Sequence, residues 1–128
     1  MSAFLTQDWL DLHKRVGADL PARDGVTACL QMVVTGTPMR EVAYVQSIEG
    51  GRVVGGELGT RDDVDVTLTC SLADATAIAK GELDLSAAFM QGRIKVVGNI
   101  GSLMAVMPLT QSPEYRALLE AVAAQTDF

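Results

Sequence analysis

Hydrophobic and polar positions along the chain change period several times, and each change marks a predicted element. Leu5, Trp9, Leu12 and Val16 recur at helical spacing behind Thr6, which caps the segment, and Gly17 with Pro21 ends it. His13 falls beside this stripe and reads as a solvated helical histidine. From Val26 to Val34 the period drops to two, with Val26, Ala28, Leu30, Met32 and Val34 on one face of a strand. Gly36, Thr37 and Pro38 form a loop before a second strand, Arg40 to Glu49, which Gly50-Gly51 joins as a hairpin to a third, Arg52 to Leu58. Val64, Val66, Leu68 and Cys70 alternate with Asp65, Thr67 and Thr69, the period of a half-buried strand.

Helical punctuation dominates the second half. Ser71-Leu72-Ala73-Asp74 reads as a capping box opening a helix from Leu72 to Lys80, closed by Gly81. Asp84 caps a short helix, Leu85 to Gln91, that stops at Gly92. Strand character returns from Arg93 to Val97, Gly98 breaks it, and Asn99 caps the apolar segment Ile100 to Met107. Ser112 and Pro113 start a last helix with Tyr115, Leu118, Leu119 and Val122 on one side. About five strands and five helices, without repeat, linker or low-complexity tract, predict a single α+β domain spanning residues 1–128.

Composition narrows the function classes. The chain is 128 residues long, 48% hydrophobic and 20% charged, enough for one core and for apolar surface lining an internal space. No apolar run approaches the roughly 20 residues that cross a bilayer, so a soluble chain without stable membrane insertion is expected. The start of the chain carries no basic-then-apolar leader pattern and its end, Thr126-Asp127-Phe128, no peroxisomal tripeptide, so a cytoplasmic location is expected. The net charge of −6, with basic residues scattered, argues against nucleic acid as a partner. Cys29, Cys70 and the single His13 do not make a zinc set, and both cysteines read as small core residues. Nucleotide-binding glycine motifs and a nucleophile elbow are missing from the sequence, so neither a cofactor nor a metal is expected.

The segment Ala88-Phe89-Met90-Gln91-Gly92-Arg93-Ile94-Lys95-Val96-Val97-Gly98-Asn99-Ile100-Gly101-Ser102-Leu103-Met104-Ala105 resembles the signature of the sterol carrier protein type 2 (SCP2) family. In that signature a Phe-Met-x-Gly helix end leads into a basic-apolar-basic strand, a glycine and an apolar helix. Gly81-Glu82-Leu83-Asp84 and the strand Asp65–Thr69 before a capped helix occur in the family's order. Arg93, Asn99 and Pro108 depart from its commonest residues, the last interrupting the end of the apolar helix.

The resemblance implies an SCP2-like α+β fold: a five-stranded, largely antiparallel twisted sheet with helices on one side, enclosing an apolar tunnel. It implies a non-catalytic carrier of a small apolar ligand such as a fatty acid, acyl-CoA, sterol or other lipid. Phe89, Met90, Ile94, Val96, Ile100, Leu103, Met104 and Met107 are its candidate ligand-binding residues, with Met32 from the first strand and Tyr115 and Leu119 from the last helix, a candidate lid. Methionines suit ligands of varied shape, and each methylene buried contributes about 0.8 kcal/mol. The alternative is an interaction module on the same fold, a homodimer or accessory enzyme subunit with a filled core. A small isomerase or hydrolase using Asp84 or Glu82 as base is the remaining reading, against which helix capping and a solvated turn account for both carboxylates. Arg93 and Lys95 read as a solvated strand face, and Asp62, Asp63 and Asp65 as a turn entering a strand.

Overall fold

The computed structural model describes residues 2–17, 27–38 and 40–128. Pro21 and Val26, named above as a helix stop and a strand start, lie outside the described residues. In chain order the elements are β1 (Ser2–Ala3), α1 (Gln7–Gly17), β2 (Ala28–Thr37), β3 (Arg40–Glu49), β4 (Arg52–Leu58), β5 (Val66–Ser71), α2 (Leu72–Ala79), α3 (Leu85–Met90), β6 (Lys95–Gly98), α4 (Ile100–Thr110), α5 (Pro113–Ala124) and β7 (Thr126–Asp127). The alternating and helical periods produced the five expected strands and five helices, with ends shifted by a few residues, as fraying termini ordinarily do, whereas the short parallel pair of β1 with β7 was not expected from the pattern.

The main sheet has the order β4-β3-β2-β5-β6, and β2 pairs with β5 in parallel while the other neighbours are antiparallel. Gly50 and Gly51, at φ 58° and 81°, supply the left-handed pair that a two-residue hairpin between β3 and β4 requires. After β4 the chain returns along the other edge of β2, which makes the β2–β5 pair parallel and the sheet mixed. Register aligns Leu30 with Val66, Met32 with Leu68 and Tyr44, and Val34 with Cys70 and Val42, so one face carries a continuous apolar surface. The capping box holds: Ser71 Oγ accepts the Asp74 N–H at 3.2 Å.

Helices α2 and α4 pack against β2 and β5, and α1 lies against β4 at the sheet's outer edge. Leu10 of α1, Leu68 of β5 and Leu103, Val106 and Leu109 of α4 are fully buried, each large side chain contributing about 1.5–3 kcal/mol. α4 continues past Met107 to Thr110, through Pro108, rather than stopping at Met107. The proline lacks an N–H, so the Met104 carbonyl loses its helical donor without the turn being broken. Asn99 caps α4 by accepting the Ser102 N–H at 3.2 Å, and Ser112 caps α5 by accepting that of Tyr115 at 3.2 Å. Asp84 occupies the cap position of α3, but its side chain makes no capping hydrogen bond. At Gly98, φ is +117° and a side chain would meet the Asp65 carbonyl at 2.8 Å, so only glycine fits this end of β6.

Candidate functional site

A chamber of about 80 Å³ lies between the apolar sheet face and the helices above it. Leu30 and Met32 of β2, Tyr44, Gln46 and Ile48 of β3 and Leu68 of β5 form its floor. Ala75, Ile78 and Ala79 of α2, Tyr115 and Leu119 of α5, and Trp9 and His13 of α1 close it, with Leu85 and Thr110 at its margin. Alternation along β3 places Tyr44, Gln46 and Ile48 on one face, while i, i+3, i+4 spacing does so for Ala75, Ile78 and Ala79 on α2. A second, outer pocket of about 380 Å³ shares Ile78, Leu85, Thr110, Tyr115 and Leu119 with the chamber and is rimmed by Lys80, Glu82, Asp84, Arg116 and Glu120. The two spaces therefore meet along a common apolar wall. Drug-sized ligands occupy about 300–1,000 Å³, a range the outer pocket reaches and the chamber alone does not.

Trp9 organises one end of the chamber. Its indole packs edge-on against His13 at 4.5 Å, Tyr44 at 5.4 Å and Phe4 at 4.9 Å between ring centroids. His13 departs from the sequence reading: it is only 4% exposed, not solvated. One helical turn places it beneath Trp9, and its Nδ1 donates to the Trp9 carbonyl at 2.9 Å, which satisfies half of an otherwise costly buried ring. Burial lowers its pKa below the ordinary 6.5, outweighing that hydrogen bond, so the ring is neutral at pH 7. Its Nε2 is then an acceptor. Burial likewise raises the Tyr115 hydroxyl to about 12 and moves Tyr44 higher still, with the neighbouring Tyr115 and Cys70 adding to the effect on Tyr44.

Cys70 is buried next to the chamber and donates to the Met32 sulfur at 3.8 Å. Burial, then the Asp74 charge, raises its pKa to about 11, so it stays a thiol near neutral pH and is a poor nucleophile. Cys29 is half-buried on the opposite sheet face, and its N–H donates to Asp65 Oδ2 at 2.7 Å. Arg93 pairs with Asp74 at 3.5 Å instead of standing free, and Arg61 pairs with Asp63 at 2.6 Å in the acidic turn.

Of the residues nominated from sequence, the fold brings Met32, Tyr115 and Leu119 together at the chamber. Ile94, Leu103 and Met107 are buried in the core, and Phe89 and Val96 pack partly buried against it. Met90 is 81% exposed at the last turn of α3, and Ile100 and Met104 are 51% and 45% exposed on α4; these three do not line the chamber. Sequence reasoning did not nominate Trp9, His13, Tyr44 or Gln46. The available signals were the i, i+4 spacing of Trp9 with His13 and the shared strand face of Tyr44 and Gln46.

Comparison with solved structures defines the fold class. The solution structure of a conserved hypothetical protein from Thermus thermophilus superposes with a TM-score of 0.75 at 19% identity, covering 93% of this chain and 89% of that one. A crystal structure of sterol carrier protein 2 gives 0.68 at 20% identity, with 93% and 96% covered. Palmitated SCP2L2 from Aedes aegypti gives 0.64 at 23% identity, with 88% and 96% covered. The fold is SCP2-like.

Residues 10–111 match the model of the SCP-2 sterol transfer family, and the chain belongs to that family. Sterol carrier protein 2 of Rattus norvegicus is 30% identical over 76 residues, 59% of this chain, and that of Homo sapiens is 31% identical over 75 residues, 58% of this chain. The aligned stretch spans 14% of the rat protein and 13% of the human one. Family membership brings a general lipid-binding and transfer role. Among the described residues no helix is long and apolar enough to cross a membrane.

Proposed function

We propose that the 128 residues act as one non-catalytic module that holds the apolar part of a lipid in the chamber and carries it between donors and acceptors. The observation that supports this reading is the adjacency of two spaces: an inner chamber of about 80 Å³ and an outer pocket of about 380 Å³ that share Ile78, Leu85, Thr110, Tyr115 and Leu119 as lining. A chain lying across that shared wall is removed from water at both its ends. At about 0.8 kcal/mol per methylene, ten buried methylenes offer about 8 kcal/mol before ordering costs.

Burial raises the pKa of the Tyr44 and Tyr115 hydroxyls and of the Cys70 thiol, so all three stay protonated at pH 7, which supports holding a ligand over nucleophilic attack on it. Helix α5 is the natural lid, since Tyr115 and Leu119 belong to both spaces. Solvent extraction of the purified protein followed by mass spectrometry, with displacement of a bound fluorescent fatty acid, tests the proposal. Co-purifying lipid and saturable displacement are expected; no lipid and no displacement would sink it.

A further inference from the structure

Helix α4 carries no charged residue, and a helix that is apolar all round is ordinarily enclosed on every side. One stripe of it nevertheless meets solvent. Ile100, Gly101, Met104 and Pro108, at i, i+1, i+4 and i+8, are exposed, Ile100 by 51% and Met104 by 45%. Helix α3 contacts α4 and ends in Met90, 81% exposed, so the two neighbours both offer apolar side chains to water. Charge is uneven around this face. The chain holds 10 basic and 16 acidic residues, yet residues 85–113 contain Arg93, Lys95 and no carboxylate. Two carboxylates from outside the segment bear on it, and both are engaged. Asp74 pairs with Arg93 at 3.5 Å, while Asp65, whose carbonyl receives the Asn99 N–H, turns Oδ2 to the Cys29 N–H at 2.7 Å. Lys95 is exposed on the edge strand β6, which leads straight into α4.

We propose that this face of α3 and α4 docks reversibly on the surface of a phospholipid bilayer, with Met90, Ile100 and Met104 entering below the headgroups and Lys95 reaching toward their phosphates. The area exposed by these side chains falls well short of the roughly 800 Å² that a stable protein partner covers on each side. The stripe also lacks the Trp, Tyr and Arg anchors that concentrate binding energy between proteins. A bilayer demands neither that area nor a complementary shape: a few apolar side chains at the headgroup boundary with a cation beside them make a reversible contact. An acidic chain approaches a phosphate-bearing surface best through a segment that adds no carboxylate. Placement suits lipid exchange as well. Helix α3 runs from Leu85 at the chamber margin to Met90, and α4 from Ile100 to Thr110 at the same margin. A docked bilayer therefore lies about 15 Å, one helix length, from the shared pocket wall. The inference rests on the family's lipid-transfer role, which requires a membrane to be met, and not on which ligand the chamber takes.

Co-sedimentation with sucrose-loaded vesicles tests the proposal, using phosphatidylcholine alone or with about 30% phosphatidylglycerol, whose negative surface attracts an exposed lysine. The parent should sediment with both, and more with the mixed vesicles. Met104→Glu and Ile100→Glu change side chains already in water, and each should weaken binding about tenfold or more at an unchanged urea midpoint. Met104→Gln, neutral and of similar size, keeps the test open should glutamate lower that midpoint. Lys95→Gln should cost about fivefold on the mixed vesicles. Leu58→Glu, 45% exposed on β4 at the far edge of the sheet, should bind as the parent does. A parent that stays in solution with both vesicles, α4 variants that sediment like the parent, or an equal loss in Leu58→Glu overturns the docking face. So does a parent dimer in analytical ultracentrifugation that Met104→Glu splits, which seats a second copy there. Displacement of the neutral dye Nile red by dodecanoate, in vesicle-free solution, reads lipid holding separately. Failed vesicle binding with intact displacement overturns docking alone; failed displacement with intact vesicle binding overturns lipid holding alone.

Discussion

Filling the chamber is the perturbation that best separates a ligand cavity from imperfect packing. Ala75 of α2 is buried, faces the chamber beside Ile78 and Ala79, and sits in a helix where leucine carries only a small propensity cost relative to alanine. An empty volume of about 80 Å³ costs the fold about 2 kcal/mol at roughly 24 cal/mol per Å³. Ala75→Leu adds three carbons, and burying them is independently worth about 2.4 kcal/mol. Both routes predict that the ligand-free variant gains about 1–2 kcal/mol once modest rotamer strain is subtracted. The assay is urea unfolding with and without saturating lipid, read from a midpoint shift at unchanged slope. Parent protein should gain about 2.7 kcal/mol when a ligand is present at a hundred times its Kd, and the filled variant should gain nothing. If Ala75→Leu instead loses 2 kcal/mol or more, the space is already close-packed; if it binds lipid as the parent does, the chamber is not where lipid sits.

Three further outcomes follow from the packing. The neutral His13 makes stability fall as pH drops below 6.5, because the unfolded chain takes up the proton before the buried ring does, with a slope of at most about 1.4 kcal/mol per pH unit. His13→Phe should flatten the urea midpoint between pH 6.5 and the lower folded pKa, and parallel curves for parent and variant would contradict this. Gly98→Ala forces a side chain to within 2.8 Å of the Asp65 carbonyl at a left-handed φ, for an expected loss of about 1–3 kcal/mol by thermal unfolding; a Tm within a degree of the parent would refute it. Ser112→Ala removes both the cap accepted from the Tyr115 N–H at 3.2 Å and the bond donated to the Leu109 carbonyl at 2.8 Å. It should cost about 1–2 kcal/mol and weaken Nile red binding because Tyr115 loses its anchor, whereas unchanged binding would separate that cap from the chamber.

Elements governed by local physics were legible in the chain and elements governed by distant ones were not. Strand alternation from Leu30 to Val34 and the Gly50-Gly51 turn depend on neighbours in sequence, and they appear in the structure where the pattern placed them. The parallel register of β2 with β5 depends on a return path between strands 36 residues apart, as Leu30 and Val66 are, which no local pattern encodes. The family signature from Ala88 to Ala105 belongs to the first kind: it marks a helix end, a strand and a capped helix, and so fixes the fold. It does not build the chamber, because its apolar side chains divide among the core at Ile94 and Leu103 and the surface at Met90, Ile100 and Met104. Core, cavity wall and exposed patch demand the same apolar chemistry, and only placement in space separates them. His13 shows the reverse failure, where a polar residue type predicted solvent and the Trp9 carbonyl, one turn away, offset the cost of burial. A chamber assembled from α1, β2, β3, β5, α2 and α5 has no contiguous motif to find. Its trace in sequence is a set of same-face pairs, Trp9 with His13, Tyr44 with Gln46, Ala75 with Ala79 and Tyr115 with Leu119, each ordinary alone and informative only once the sheet and helices bring them to one volume.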